Sequence, residues 1–282
     1  MINRLLRIRR EPASIFEHID AHVRPGVAGL TEGGRQLPDD AEIVAAPGDA
    51  AATEAAVERI YAALVRLASK PTAARHQRVR ELFREGDVRG RIDALRDRLS
   101  ADPPAHADRL YPELHDIFLR SGYRDEVKYA MALMSGFGRP EDADRFRVVA
   151  RHEEFTLYAA VALATVSDDP FGDWLALLPQ VEGWGRIELA ELILREPLPP
   201  AERERRLGDA PGAGNPLVDA ADALLRSPDP LHRLVALRAL SSWDHVPAEL
   251  VALVAEARAG DPDERVREHA AQVLAGEPIT GP

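Results

Sequence analysis

Two stretches near the C-terminal end, DPLHRLVALRAL at residues 229–240 and DERVREHAAQVL at residues 263–274, can be laid over one another without a gap. Asp229 then falls on Asp263, Arg233 on Arg267, Ala236 on Ala270 and Leu240 on Leu274. The template extends upstream. On HEEFTLYAAVAL (152–163) it pairs Phe155 with Val266 and Ala159-Ala160 with Ala270-Ala271, and on RDEVKYAMALM (124–134) it places Lys128 where Arg267 stands. On VEGWGRIELAELIL (181–194) it places Arg186 there, with Leu189-Ala190 at the small pair and Ile193 at the final leucine. The units start at Val127, Phe155, Gly185, His232 and Val266, in steps of 28, 30, 47 and 34 residues. Each ordinary step has room for two helices and two turns, the unit length of stacked helical hairpins. Small residues at the middle of the second helix allow close approach of its neighbours, while larger apolar residues at i, i+4 and i+8 fill the seam. The longest step holds LPPAERERRLGDAPGAGNP, whose Pro and Gly clusters read as a degenerate repeat or an inserted loop.

Upstream of the repeats, PASIFEHIDAHVR (12–24) reads as one short helix with Ser14 as its cap and Ile15, Phe16, Ile19 and Val23 on its apolar stripe. Residues 25–52 are rich in Gly, Pro, Asp and Ala and read as an irregular connection. The expected organisation is therefore an N-terminal helix and linker over 1–52, followed by helical hairpins over 53–282. Aromatic residues are 5% of the chain and no succession of alternating β-branched runs occurs, so the expected class is all-α.

With 36 Lys plus Arg against 47 Asp plus Glu, the formal charge is -11, which disfavours a nucleic-acid partner. The absence of cysteine excludes disulfides, thiolate zinc sites, iron-sulfur clusters and cysteine nucleophiles. No window approaches the roughly 18 to 20 apolar residues that span a bilayer, and no signal-peptide pattern follows Arg4, Arg7, Arg9 and Arg10, so no membrane partner and a cytoplasmic location are expected. Those arginines read as a solvated terminus, and AERERR at 201–206 as a solvent-facing helical turn.

DPDERVREHAAQVL resembles a HEAT repeat, including Asp261 six residues before Arg267, the spacing at which that family hydrogen-bonds successive repeats. The other units carry no acid at that spacing. Residues 105–196, through VKYAMALM, RHEEFTLYAAVAL and VEGWGRIELAELIL, are similar to a bacterial family of HEAT-like proteins of unsettled function whose members are sometimes called limonene hydroxylase. The resemblance implies an all-α, right-handed α-solenoid of HEAT-like helix hairpins with an irregular N-terminal segment. A hydroxylase would need a flavin, haem or iron, and the residues point to no cofactor. Gly136-Phe137-Gly138 and Gly183-Trp184-Gly185 lack the third glycine of a dinucleotide loop, no Gly-Lys pair supports a P-loop, and no Glu-x-x-His supports a di-iron site. His18 and His22, four residues apart, could share a helix face toward a metal, but an exposed amphipathic helix explains them equally.

One rim remains. In register, His152, Glu153 and Glu154 stand beside Trp184 and Arg186. As packing, Gly183 and Gly185 allow a sharp entry into a helix, Trp184 lies over the preceding helix near Trp174, and Arg186 faces the acids of the adjacent hairpin. As a ligand site, Arg186 receives an anion, His152 and Glu153 offer acid and base groups, and Trp184 forms a flat wall. The function expected from the whole is a non-catalytic scaffold whose partner is a protein or peptide. The alternatives are a small-molecule binder or enzyme on the 152–186 rim, and a HEAT-like DNA-repair protein with arginines gathered along its groove.

Overall fold

The computed structural model describes residues 12–23, 37–38, 50–86, 88–197, 199, 201–202, 205, 215–243, 245–277 and 279. Among them the secondary structure is helical and no strand occurs, so the chain is all-α. No helix of the described residues is long and apolar enough to cross a membrane. Most of 25–52, Arg4 to Arg10 and most of 198–214 lie outside the described residues. The chain divides into two compact units, one holding residues 32–149 with 1–25 and 161–166, the other 167–282 with 26–31 and 150–160.

The first unit contains α1 (Ile15–His22), α2 (Ala50–Ser69), α3 (Ala73–Phe83), α4 (Ile92–Ala101), α5 (Leu110–Arg120), α6 (Arg124–Met134) and α7 (Ala143–Val149). The short N-terminal helix starts where its sequence indicates. Ser14 Oγ accepts the Glu17 N–H at 3.1 Å, and Ile15 and Ile19 are fully buried. What holds α1 in place is the α5–α6 turn: Ser14 Oγ donates to the Leu119 carbonyl at 2.6 Å, and Ile15 N–H donates to that of Ser121 at 2.9 Å. Gly122 makes this contact possible, since a Cβ there would lie 2.5 Å from the Pro12 carbonyl oxygen.

Within this unit α2 packs on α3, α4 and α5, α5 packs on α6, and α6 also meets α3 and α4. Phe83 stacks on Tyr129 at 4.6 Å, and Phe118 meets Phe146 edge-on at 5.6 Å. Glu126, fully buried on α6, is neutralised by Arg80 at 2.8 Å and by Arg84, and accepts the Ser121 hydroxyl at 2.8 Å. A carboxylate removed from water persists only when its charge and lone pairs are matched in this way. The cluster ties α3 to α6.

Helix α8 (Thr156–Val166) contributes its first residues to the second unit and its last to the first. The second unit also holds α9 (Pro170–Leu177), α10 (Gly183–Arg195), α11 (Pro216–Leu225), α12 (Pro230–Leu240), α13 (Ala248–Gly260) and α14 (Glu264–Ala275). Three of these open on an acceptor side chain followed by proline: Asp169 bonds Gly172 N–H, Asn215 bonds Leu217 N–H and Asp229 bonds Leu231 N–H. Proline at the first helical position lacks a donor that would go unused, and the preceding Asp or Asn satisfies one that would not.

The packing here alternates. Helices α9 and α10, α11 and α12, and α13 and α14 pair as neighbours in sequence; α9 also meets α11, α11 meets α13, α10 meets α12 and α12 meets α14. Of the small positions singled out by the repeat, Ala159, Ala160, Ala190, Ala236 and Ala270 are fully buried and Ala271 is partly buried. A polar device recurs with them. Arg233 Nη1 donates to the Ser227 carbonyl at 2.6 Å, Arg267 Nη1 to that of Asp261 at 2.5 Å, and Thr156 Oγ1 to that of Ala150 at 2.8 Å. Each acceptor lies six residues before its donor, and the three donors occupy one position of the repeat.

Candidate functional site

The corner at 181–186 takes its shape from two glycines. Gly183 adopts φ +59°, the left-handed region that side chains other than glycine rarely enter. At Gly185 a Cβ would fall 2.3 Å from Thr156 Oγ1 and 2.8 Å from Glu153 Cα, so only glycine lets the start of α10 lie against the start of α8. Glu182, at the cap position of α10, makes no side-chain cap. Glu153 supplies it instead, its Oε2 accepting the Trp184 N–H at 3.0 Å. A carboxylate there satisfies an orphan donor and meets the positive end of the helix. Helix α8 begins three residues after Glu153, at Thr156, and the carboxylate serves α10.

Of the five expected site residues, Glu153 meets Trp184 and His152 meets Glu154, while Arg186 makes no side-chain hydrogen bond or ion pair with a described residue. His152 is fully buried, with Nδ1 accepting the Glu154 N–H at 3.2 Å. Glu153 is committed to the cap and Glu154 is partly buried. Trp184 does not lie against Trp174, contrary to expectation. Its side chain is 58% exposed and its ring faces His232 at 6.2 Å, whereas Trp174 is buried and donates Nε1–H to the Ala160 carbonyl at 3.0 Å. The reason is helical phase. Gly185, Leu189 and Ile193 form the buried row of α10, and one residue back from Gly185 is a rotation of about 100°, which carries the indole to the flank. Arg186 is also displaced from its expected role, for it makes no ion pair or side-chain hydrogen bond with a described residue.

The acid close to this flank is Glu191, whose carboxylate lies 2.6 Å from Arg195 and 3.7 Å from His232 Nε2. His232 Nδ1 is joined to Ser227 Oγ at 2.8 Å. Serine, imidazole and carboxylate thus follow one another as in a nucleophilic triad. The chemistry does not follow, because Ser227 is only 3% exposed and its oxygen accepts the Asp229 N–H at 3.2 Å. It serves as a turn residue, as Asp261 does by accepting the Asp263 N–H at 2.9 Å. His18 and His22 do stand together, their rings 4.7 Å apart, but among the described residues no group of three or more His, Asp or Glu side chains is placed to hold a metal ion.

Comparison with protein-family models, curated proteins and solved structures returned no match.

What this flank presents is apolar surface. Leu231, one residue before His232, is 56% exposed on the first turn of α12, at the repeat position that Trp184 occupies on α10. Sequence reasoning passed over Leu231, although the repeat template already equates it with Trp184.

Proposed function

We propose that residues 167–277 form a HEAT-like α-solenoid segment that acts as a non-catalytic docking surface for a protein or peptide. The solenoid reading is supported by the alternating packing of α9 to α14 and by the bond that recurs at the starts of α12 and α14, from an arginine to the carbonyl six residues earlier. It is supported further at the joint between the last two hairpins, where Arg233 clasps Asp261 through Nε at 2.7 Å and Nη2 at 2.9 Å. Such a bidentate pair fixes one hairpin on the next in a single register.

The observation that carries the docking reading is the exposure of Trp184 together with Leu231. Tryptophan is enriched among the residues that dominate interface energetics, and exposed apolar side chains gain about 25 cal/mol per Å² when a partner covers them. Arg186 adds a charge that no described residue neutralises. The fitting partner is a peptide with an aromatic or branched aliphatic anchor beside a carboxylate. The enzyme reading of the same rim would need the His152 imidazole, which is buried.

Selection of displayed peptides on the full chain, with counter-selection on a Trp184→Ser/Leu231→Ser double variant, tests the reading. Enriched peptides should pair an apolar anchor with Asp or Glu and lose binding to the double variant, whose melting temperature stays at the parent value. Peptides that bind both proteins equally, or no enrichment at all, would refute it.

A further inference from the structure

The first unit contains a cavity of about 270 Å³ bounded by α2, α4, α5, the end of α6 and the turn after it. Its walls are apolar, with Leu64, Leu99, Leu114, Leu133 and Phe137 among them, and its polar side chains are Arg96 and Ser100, one helical turn apart on α4. The Ser100 hydroxyl donates to the Arg96 carbonyl at 2.8 Å. The Arg96 guanidinium, half-buried, makes no ion pair or side-chain hydrogen bond with a described residue. Its neighbour on the same helix is engaged, for Arg98 lies 2.7 Å from Glu58, 3.3 Å from Asp102 and over the Tyr61 ring.

We propose that this cavity binds a small apolar monocarboxylate as a free ligand, with its hydrocarbon part among the leucines and its carboxylate on Arg96. An apolar void gives water too few partners to be well hydrated, so a hydrocarbon gains by entering it. A guanidinium at the edge of apolar surface presents a planar fork of donors that matches a carboxylate in two parallel hydrogen bonds. At the roughly 30 Å³ that a water molecule takes in the liquid, the space equals about nine water volumes, which sets the ligand at the size of a medium-chain or single-ring acid. The site lies within the first unit and is independent of the docking surface on α10 and α12.

Isothermal titration of the full chain with octanoate, octan-1-ol and octylamine tests the assignment. Octanoate should bind with one-to-one stoichiometry, octanol more weakly and octylamine not at all. Arg96→Gln should weaken octanoate at least about tenfold while leaving octanol unchanged, because only the charge-assisted bonds are lost. Gly136 lines the cavity, and a Cβ added there meets nothing within 4 Å, so Gly136→Leu should fill the space and abolish binding of both ligands without a loss of helicity. Absence of octanoate binding by the parent, equal binding of octylamine, or undiminished binding by Arg96→Gln or by folded Gly136→Leu would overturn it.

Discussion

Replacing Asp261 with alanine isolates the joint between the last two hairpins. The carboxylate accepts two bonds from Arg233 and one from the Asp263 N–H, and the side chains of Arg233 and Asp261 are 10% and 6% exposed. Truncation leaves the guanidinium with the Ser227 carbonyl as its remaining acceptor among these contacts. Breaking a buried pair from one side costs about 3–5 kcal/mol, because the survivor stays uncompensated. Arg233 and Asp261 also line an open depression between α11 and α13, so water reaches the orphaned group and the lower end of that range applies, about 3 kcal/mol. With a urea slope of about 2 kcal/mol per molar, the midpoint should fall by about 1.5 M. The assay follows from the sequence: Trp174, Trp184 and Trp243, the three tryptophans of the chain, all belong to the second unit, so indole emission follows that unit while far-UV circular dichroism follows both. The fluorescence midpoint should therefore drop. An Arg233→Met/Asp261→Leu double variant, which removes both charges, should recover most of the loss. A loss below about 1 kcal/mol in Asp261→Ala, or a double variant as unstable as the single one, would show that an isolated charge is not what the joint guards against.

Three further outcomes are expected. Gly185→Ala should cost about 1–3 kcal/mol by overpacking against Thr156 and the Glu153 backbone, whereas Trp184→Ala, on an exposed flank, should change stability by less than about 1 kcal/mol; thermal melts of the two variants compare them directly. Gly122→Ala should displace residues 12–23 from the α5–α6 turn and expose them to limited proteolysis while the helicity of the remainder persists. Burial, and then the Asp142 carboxylate that accepts its hydroxyl, push the Tyr111 phenol up from 10 to about 12. A raised folded value means that its stabilising contribution is complete below pH 10 and is lost as the pH climbs toward 12. Ultraviolet titration should show the Tyr111 phenol among those ionising late, and Asp142→Asn should move that phenol back toward 10.

How much of this was legible beforehand depends on what kind of physics wrote it. The start of α1 was legible from Ser14 as its cap, whereas Asp169-Pro170, Asn215-Pro216 and Asp229-Pro230, each a capping acceptor and a missing donor in adjacent letters, carried the same kind of signal and were passed over. The buried alanines were legible through their spacing, since a helix repeats its facing residues at fixed intervals. Asp261 could be marked as the acid of a joint from its distance to Arg267. Its partner, however, is Arg233 from the preceding hairpin, and Arg267 turns to the Asp261 carbonyl.

The placement of Trp184 has a related cause. Gly183 and Gly185 were recognised as a corner, and they are one, but a glycine does not say which neighbour it admits. The close approach to Thr156 and Glu153 puts Gly185 on the buried row of α10, and that phase turns Trp184 to solvent and brings its N–H to the Glu153 carboxylate. A tryptophan between two glycines reads as buried when composition is the only guide, because large aromatics gain most from burial. Here the glycine contact takes precedence: the backbones of α8 and α10 can meet along one line of α10, and the indole sits one residue off that line. The same phase turns Trp184 to solvent, as Leu231 is at the equivalent position of α12, and no described residue forms an ion pair with Arg186. Two exposed apolar side chains and a charge that no described residue matches would suit an anchored peptide, so the proposed docking surface rests on the phase of one helix.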